Sequence, residues 1–148
     1  MAGLFVPEHV ISIITDHADS GLAADKEVMG LIVGNVYHDD RGEYAVVKRA
    51  VTTDLVSDEK SVRFDRDGLE KLFSTIGLKE DERIVGWYHS HLDAGCIMSP
   101  TDIKTQDGLF NGECGFAIVI DPVRQELMVF DSNPGDPHQA DMVIIESD

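Results

Sequence analysis

A series of short strand-like segments, bounded by turn residues, limits the possible folds of this 148-residue chain more than any other feature. Runs of β-branched and other apolar residues between clusters of Gly, Pro, Asn and Asp are typical of β-strands. The segments are residues 27–37, 43–51, 83–91, 115–121, 126–132 and a short last one at 142–145. The first two flank a turn at residues 39–42, which predicts a β-hairpin.

Helical signals are fewer. Pro7 predicts the first residue of a helix that ends at Ser20–Gly21, and Ser99 predicts the start of another. A further helix is predicted by the i, i+3, i+4, i+7 spacing of Leu69, Leu72, Phe73 and Ile76. Strands and helices do not alternate regularly, so the predicted class is α+β or irregular α/β, with a mixed or antiparallel sheet flanked by helices. We expect residues 1–148 to form a single domain, because no repeat or linker divides them.

The charge balance restricts the classes of partner. Twelve Lys and Arg against 28 Asp and Glu give a net charge of −16. This argues against nucleic acid and against an anionic membrane, since both require a basic surface. No apolar run is long enough to span a bilayer, and residues 1–7 do not have the pattern of a secretory signal. With Cys96 and Cys114 as the only cysteines, we expect a soluble cytoplasmic protein.

The pattern His-Ser-His at 89–91 carries the clearest chemical signal. Strand residues two apart point to one face, so the imidazoles of His89 and His91 are predicted to lie side by side, with Trp87 as a wall. Asp102 lies in the first turn of the helix that begins at Ser99. Two imidazoles and one carboxylate form a catalytic zinc set with an open fourth position, where zinc lowers the pKa of water toward ~7.

Simpler interpretations stand beside this one. Ser99 to Asp102 also fits a helix capping box that needs no metal. Asp93 is a second candidate carboxylate ligand, and Cys96 is explained more simply as a small buried thiol. Cys114 is interpreted as a core-edge residue. Four histidines without a partner at ligand spacing are interpreted as surface residues: His9, His17, His38 and His138.

Over roughly residues 8–132 the chain resembles the JAMM (MPN+) metalloprotease family and, within it, the deubiquitinating subunit of the proteasome lid. The matching segments are EVMGLIVG at 27–34, IVGWYHSH at 84–91, DIKTQ at 102–106 and VIDP at 119–122, together with Ser99. The resemblance implies an MPN-like sheet with a cytidine-deaminase-like core. One difference concerns the proline that follows the second histidine of the family motif. Leu92 stands there, and a loop without that proline is expected to be less rigid.

The resemblance also implies roles for individual residues. His89, His91 and Asp102 would bind one Zn²⁺ per chain, Glu27 would act as general base, and Ser99 would donate a hydrogen bond to the oxyanion. The implied function is a zinc-dependent isopeptidase that releases ubiquitin or a ubiquitin-like modifier from lysine. The alternatives are a peptidase that trims a sulfur-carrier ubiquitin-like protein, and an MPN-type scaffold without catalysis.

Partners follow from the same resemblance. The family binds the extended tail of ubiquitin as an added strand, and the loop from Thr52 to Val62 lies where the first insertion loop of the family covers that tail. The same polar segment fits a solvated hairpin loop equally well. Trp87 and Cys96 are the further candidates for contact with the tail. The acidic surface suits a basic tail through electrostatic steering. A proteasome-related or MPN-domain protein is the other expected partner.

Overall fold

A computed structural model describes residues 3–40, 42–52, 77–110 and 115–147. These residues contain helix α1 (Glu8–Ala23) and helix α2 (Pro100–Phe110). They also contain seven strands: β1 (Gly3–Pro7), β2 (Met29–Asp39), β3 (Gly42–Thr52), β4 (Arg83–Ser90), β5 (Phe116–Asp121), β6 (Glu126–Phe130) and β7 (Asp141–Ile145).

The seven described strands form one mixed sheet in the order β6-β5-β4-β2-β3-β1-β7. β1 pairs in parallel with β3 and β7, and β4 pairs in parallel with β5. The pairs β2–β3, β2–β4 and β5–β6 are antiparallel. The mixed sheet with flanking helices confirms the predicted α+β class, and β2 with β3 forms the predicted hairpin.

The two helices cover opposite faces of the sheet. Val10 and Ile14 of α1 belong to a buried cluster with Ile32 and Tyr88 of the central strands. The residues on the other face, among them Leu31 and Trp87, belong to a second cluster with Phe110 of α2. Neighbouring residues of β2 and β4 thus alternate between the clusters, as period-2 geometry requires. The candidate site lies on the α2 face, where β4 ends and α2 begins.

The sequence prediction of the N-terminus needs correction at three points. β1 was not among the predicted strands, although it pairs with Asp141–Ile145 along its whole length. Pro7 is the last residue of this strand and the N-cap of α1, not the first helical residue. Gly21 does not end the helix, which continues to Ala23. A Cβ there would lie 2.6 Å from Lys26 O, so glycine permits a close approach between helix and loop.

The predicted helix over residues 69–76, the core-edge interpretation of Cys114 and the proposed role of Val62 lie outside the described residues. Within the described part of the chain, neither helix combines the length and apolar character that crossing a membrane requires.

Candidate metal centre

The end of β4 places two candidate residues on one face of the sheet. Trp87 and His89 lie on the α2 side, whereas Tyr88 between them packs into the core beneath α1. The rings of Trp87 and His89 are stacked, with centroids 4.3 Å apart. His91 follows the strand, and its N–H donates to Ile120 O at 2.9 Å. The structure thus brings the two imidazoles together, with centroids 5.1 Å apart, and Trp87 forms a wall beside them.

The N-terminus of α2 brings a carboxylate to these histidines. Asp102 N–H donates to Ser99 Oγ at 3.1 Å, and Ser99 N–H donates to Asp102 Oδ2 at 2.9 Å. This reciprocal pair is the predicted capping box. The same Oδ2 lies 3.1 Å from His89 Nε2 and 3.0 Å from His91 Nε2. The capping box therefore orients Asp102 towards the histidines. The helix-cap and the metal-ligand interpretations of Asp102 are thus compatible with each other.

His89, His91 and Asp102 form a compact group of buried donors. Their ligand atoms all lie within 4.8 Å of one another, and their exposed fractions are 2 %, 6 % and 9 %. Neither ring nitrogen of His89 has a hydrogen-bond partner among the described residues, since Asp102 Oδ2 lies near Nε2 but outside hydrogen-bonding geometry. Buried polar atoms are rarely left unpaired. A metal ion on Nε2 fits this arrangement, and two imidazoles with one carboxylate suit Zn²⁺.

A backbone carbonyl fixes the orientation of His91. Its Nδ1 lies 3.0 Å from Gly95 O, and because a carbonyl only accepts, Nδ1 carries the proton. When His91 is neutral, the lone pair of its Nε2 is directed at the space shared with His89 and Asp102. A hydrogen bond from the second ring nitrogen to a carbonyl is the usual way in which proteins orient a metal-binding histidine.

Burial and charge shift the ionisation of these groups. Burial alone would raise the pKa of Asp102, but its contacts with His89 and His91 outweigh burial and hold that pKa well below its usual range. Burial lowers the pKa of His89. Burial also lowers the pKa of His91, but Asp102 and Glu27 outweigh it and raise that pKa overall. A carboxylate beside an imidazole kept neutral by burial suits a divalent cation.

Glu27 lies beside this group, two residues before β2 begins. It is half-buried, and desolvation raises the pKa of its carboxyl from 4.5 to about 7. The positive charge of His91 lowers this pKa, and a hydrogen bond from the backbone N–H of Leu92 does so as well. Proline at position 92 would have no N–H for that bond. The structure therefore places a carboxyl that titrates near neutral pH next to the candidate ligands.

A family model described as JAB1/Mov34/MPN/PAD-1 ubiquitin protease matches residues 4–111 of this sequence. The chain belongs to the JAB1/Mov34/MPN/PAD-1 family. The match covers β1 to α2, so it includes the capping box and all three candidate ligands.

The curated relatives of this chain are named as subunits of larger complexes. The chain is 35 % identical over 109 residues to COP9 signalosome complex subunit 5 of Kluyveromyces lactis, covering 72 % of this chain and 28 % of that protein. It is 36 % identical to the Aspergillus fumigatus subunit of the same name, covering 75 % and 33 %. It is 29 % identical to 26S proteasome non-ATPase regulatory subunit 14 of Dictyostelium discoideum, and the alignment covers 73 % of this chain and 35 % of that protein. The chain spans about a third of the length of these relatives.

One solved structure supports the fold alone. A protein of Desulfitobacterium hafniense, solved in solution, superimposes with a TM-score of 0.70 at 18 % identity. The alignment covers 97 % of this chain and 94 % of that one. The sheet and helices described above are therefore an arrangement that also occurs in a chain of similar length.

The residues suggested for the ubiquitin tail are only partly described in this JAB1/Mov34/MPN/PAD-1 chain. Cys96 is buried, and its thiol donates to Val119 O at 3.3 Å, which fits the simpler interpretation of a structural thiol. Burial also raises the pKa of that thiol. Thr52 is the last residue of β3, while its side chain and Val62 lie outside the described part of the chain.

Asp93 and His17 lie elsewhere in the structure. Asp93 is exposed, lies outside the three-residue group, and accepts a hydrogen bond from Arg124 Nε at 3.0 Å. His17 is half-buried, and its Nδ1 lies 2.6 Å from Tyr88 Oη, so it is not the surface histidine predicted from sequence.

Gln106 supports the aromatic wall of the site and received no role in the sequence analysis. Its Oε1 accepts a hydrogen bond from Trp87 Nε1 at 2.7 Å, and its amide donates to Asp131 O at 2.6 Å. It is 2 % exposed and lies one helical turn after Asp102. That spacing, a polar residue four positions after a candidate ligand on the same helix face, is the sequence signal that points to it.

Asp121 also received no role, although it lies at the end of β5 beside the site. It is fully buried and accepts backbone N–H bonds from Asp93, Gly95, Val123 and Arg124, at distances of 2.8–3.1 Å. Burial would raise its pKa, but these four bonds outweigh burial and lower it. Its partners come from two loops, so sequence spacing gives little indication of the role.

Proposed function

We propose that this chain is a zinc-dependent isopeptidase that hydrolyses the bond between the C-terminus of ubiquitin or a ubiquitin-like modifier and a lysine. The observation that carries the proposal is the meeting of His89, His91 and Asp102, in a chain of a family whose description names a ubiquitin protease. We further propose that residues 1–148 act as one catalytic domain in the cytoplasm. The complete ligand set favours an enzyme over a scaffold.

His89, His91 and Asp102 would hold one Zn²⁺ per chain through two Nε2 atoms and one carboxylate. When bound, zinc supplies Lewis acidity that polarises the scissile carbonyl and makes water more acidic. The buried position of these side chains excludes bulk water, which strengthens electrostatic interactions in the site.

Glu27 would be the general base. Its carboxylate takes a proton from the attacking water and then delivers it to the leaving amine of the substrate lysine. Desolvation raises the pKa of this carboxyl, which favours a group that both accepts and releases a proton. The hydrogen bond from Leu92 N–H would hold the carboxylate in place between these transfers.

Ser99 would stabilise the transition state. Its Oγ accepts the Asp102 N–H at the helix cap, which leaves the hydroxyl hydrogen to donate to the oxyanion of the tetrahedral intermediate. One such donor contributes roughly 10²–10³-fold in rate in other hydrolases.

The substrate side of the proposal rests on charge and on relatives. A net charge of −16 favours encounter with a basic tail. Trp87, Cys96, Thr52 and Val62 are proposed to line the path of that tail. The relatives are signalosome and proteasome subunits by name, so a proteasome-related or MPN-domain protein is the proposed assembly partner.

Zinc counting together with cleavage tests the proposal. We expect one zinc per chain by native mass spectrometry, a weakened site in Asp102→Ala, and cleavage of a ubiquitin–lysine isopeptide substrate by the zinc-loaded chain. Glu27→Gln should retain zinc and lose cleavage, while Glu8→Gln, an exposed acid in the first turn of α1, should behave as wild type. Absence of zinc, even when it is supplied, would support the scaffold instead. Zinc binding with undiminished cleavage by Glu27→Gln would refute the role of Glu27.

A further inference from the structure

The loop between β4 and α2 has an unusual backbone. Asp93 and Gly95 have φ angles of 74° and 87°, in the left-handed region. This region is uncommon for residues other than glycine, although Asp enters it more readily than most. The contacts that hold the backbone of Asp93 and Gly95 therefore define the shape of the loop.

Asp121 holds that backbone with both carboxylate oxygens. Oδ1 accepts the N–H of Asp93 at 3.1 Å, and Oδ2 accepts the N–H of Gly95 at 2.8 Å. The two residues held in this way are the two with left-handed backbone. Asp121 is completely buried, so water does not compete for these bonds.

Asp121 is itself held in place by the turn that follows it. Its Oδ1 also accepts the N–H groups of Val123 and Arg124, each at 3.1 Å. β5 pairs with β4 up to Ile120, whose carbonyl accepts the His91 N–H. The carboxylate is thus fixed relative to the strand that leads into His91.

The contact continues from the loop to a candidate metal ligand. Gly95 donates its N–H to Asp121 and accepts at its carbonyl the Nδ1–H of His91, at 3.0 Å. If Gly95 rotates, His91 loses the acceptor that fixes both its tautomer and its ring orientation.

We propose that Asp121 is a positioning residue for the metal centre, which sets the tautomer and orientation of His91 through the backbone of Gly95. It contacts neither metal nor substrate. The inference rests on the proposed function only for the identity of the metal, because the link from Asp121 to His91 lies within the chain itself.

Asp121→Asn tests this link with a side chain of nearly the same volume. An amide has one acceptor oxygen, so one side of the substituted group places an NH₂ against a backbone N–H donor. We expect the affinity of the full chain for Zn²⁺, measured by competition with a chromophoric chelator, to fall roughly 10–100-fold, as for other residues that orient metal ligands.

Glu82→Gln is the matched control. Glu82 is a buried carboxylate that accepts the Lys79 N–H at 3.0 Å and pairs with Arg49, in the turn before the opposite end of β4. This variant should lower the melting temperature and leave zinc affinity unchanged. If both variants lose stability and Asp121→Asn loses no more zinc affinity than Glu82→Gln, Asp121 is a structural residue only and the inference is wrong.

A readout in the metal-free chain separates this inference from the proposed function. ¹H–¹⁵N NMR detects an imidazole Nδ1–H that a hydrogen bond protects from exchange with water. We expect this Nδ1–H signal for His91 in the wild type, because Gly95 O accepts it, and its loss or broadening in Asp121→Asn; an unchanged signal would overturn the inference. A wild-type chain that binds no zinc would remove the proposed function, while the Nδ1–H signal would still decide the role of Asp121.

Gly95→Ala tests the same link should Asp121→Asn fail to fold. It leaves the carboxylate in place but strains a backbone at φ 87° and brings a Cβ to 3.1 Å from Arg124 Nη1. The same loss of zinc affinity and of the Nδ1–H signal is expected. Retention of both would show that Gly95 does not connect Asp121 to His91.

Discussion

His89 is a buried imidazole whose ring nitrogens have no hydrogen-bond partner among the described residues, although Nε2 lies 3.1 Å from Asp102 Oδ2. Its ring is stacked on Trp87. A buried polar group without a partner destabilises a fold by about 1–3 kcal/mol. His91 differs, since it bonds Gly95 O and Asp102 Oδ2. The two candidate ligands therefore contribute to the metal-free fold with opposite sign.

Leucine substitutions measure this contrast. In the presence of EDTA we expect His89→Leu to be as stable as wild type or up to ~1 kcal/mol more stable, because an apolar side chain replaces an unpaired polar one. His91→Leu should be less stable by about 1–3 kcal/mol, because it leaves Gly95 O without its partner. Urea denaturation gives both values, and native mass spectrometry should show zinc binding weakened in each. A larger loss in His89→Leu than in His91→Leu contradicts the argument.

Glu27 gives the metal-free chain a pH dependence of defined sign. Its pKa is about 7 in the folded chain, against an ordinary 4.5. Between these values the folded state keeps a proton that the unfolded state releases, so the contribution of Glu27 to stability declines as pH rises from about 4.5 to 7. Glu27→Gln removes this decline. Its advantage over wild type in EDTA should grow by on the order of 1 kcal/mol from pH 5 to 8, given partial screening by solvent.

Glu8→Gln is the control for that comparison, because it also removes one carboxyl but at an exposed position. Across the pH range, urea midpoints should diverge from wild type more for Glu27→Gln than for Glu8→Gln. Parallel curves for all three chains would mean that Glu27 is not desolvated in the folded state.

Among the elements, the first turn of α2 combines two tasks in one side chain. Ser99 caps the helix through the Asp102 N–H and is the proposed oxyanion donor. A substitution that removes both the cap and the hydroxyl donor cannot show which of the two matters for catalysis. Glycine at the N-cap lowers protein stability by only about a few tenths of a kcal/mol, but it has no hydroxyl to donate to an oxyanion.

Ser99→Gly and Ser99→Thr therefore separate capping from catalysis. We expect Ser99→Gly to melt close to wild type and to lose roughly 10²–10³-fold in kcat, and Ser99→Thr to retain most of both. Isopeptide cleavage rates and thermal melts of the zinc-loaded chains measure the two effects. Should kcat stay within twofold of wild type in Ser99→Gly, the oxyanion belongs to another donor.

α1 closely approaches Lys26 and Val28, the two residues on either side of Glu27. Gly21 leaves no room for a Cβ, since Val28 Cγ1 and Lys26 O would lie 2.5 and 2.6 Å away. Gly21→Ala should destabilise the chain by about 1–3 kcal/mol despite the better helix propensity of alanine. In α2, a Cβ at position 108 would meet no atom within 4 Å, so Gly108→Ala should stabilise the chain by about 0.5–1 kcal/mol. Chemical denaturation of both variants checks the pair, and equal effects would contradict the packing argument.

Features that depend on neighbouring residues were predictable from sequence, and features that depend on distant contacts were not. The hairpin of β2 and β3 and the capping box at Ser99 follow from local turn and cap chemistry. β1 was missed because five residues show little periodicity, and its pairing with β3 and β7 involves residues about 40 and 140 positions away. Asp121 was missed because its hydrogen bonds to Asp93 and Gly95, in the loop between β4 and α2, span 28 and 26 positions of sequence.

At the scale of the whole molecule, a bound metal would connect the two halves of the site. His89 belongs to the sheet and Asp102 to α2, so one ion joined to both ties the helix to the sheet. Any ligand that binds only the folded state stabilises it by mass action. With such an ion bound, the stability of the whole domain would be coupled to a group of three side chains.

Removal of zinc should therefore lower the melting temperature. Zinc at 100 times its Kd stabilises by about 2.7 kcal/mol. For a domain of this size, that stabilisation corresponds to a rise in melting temperature of about 5–10 °C, and EDTA should abolish the rise. Asp102→Ala should melt at nearly the same temperature with zinc and with EDTA. A wild-type chain whose melt is insensitive to both reagents would contradict the metal assignment.

The stacking of Trp87 on His89 also has an optical consequence. Trp87 is the single tryptophan of the chain, so the indole emission of the whole protein originates at the wall of the metal centre. Protonation of the stacked imidazole, or an ion bound to it, changes the electric field at that ring. Fluorescence from the unlabelled protein therefore reports directly on this one site, without a background from other indoles.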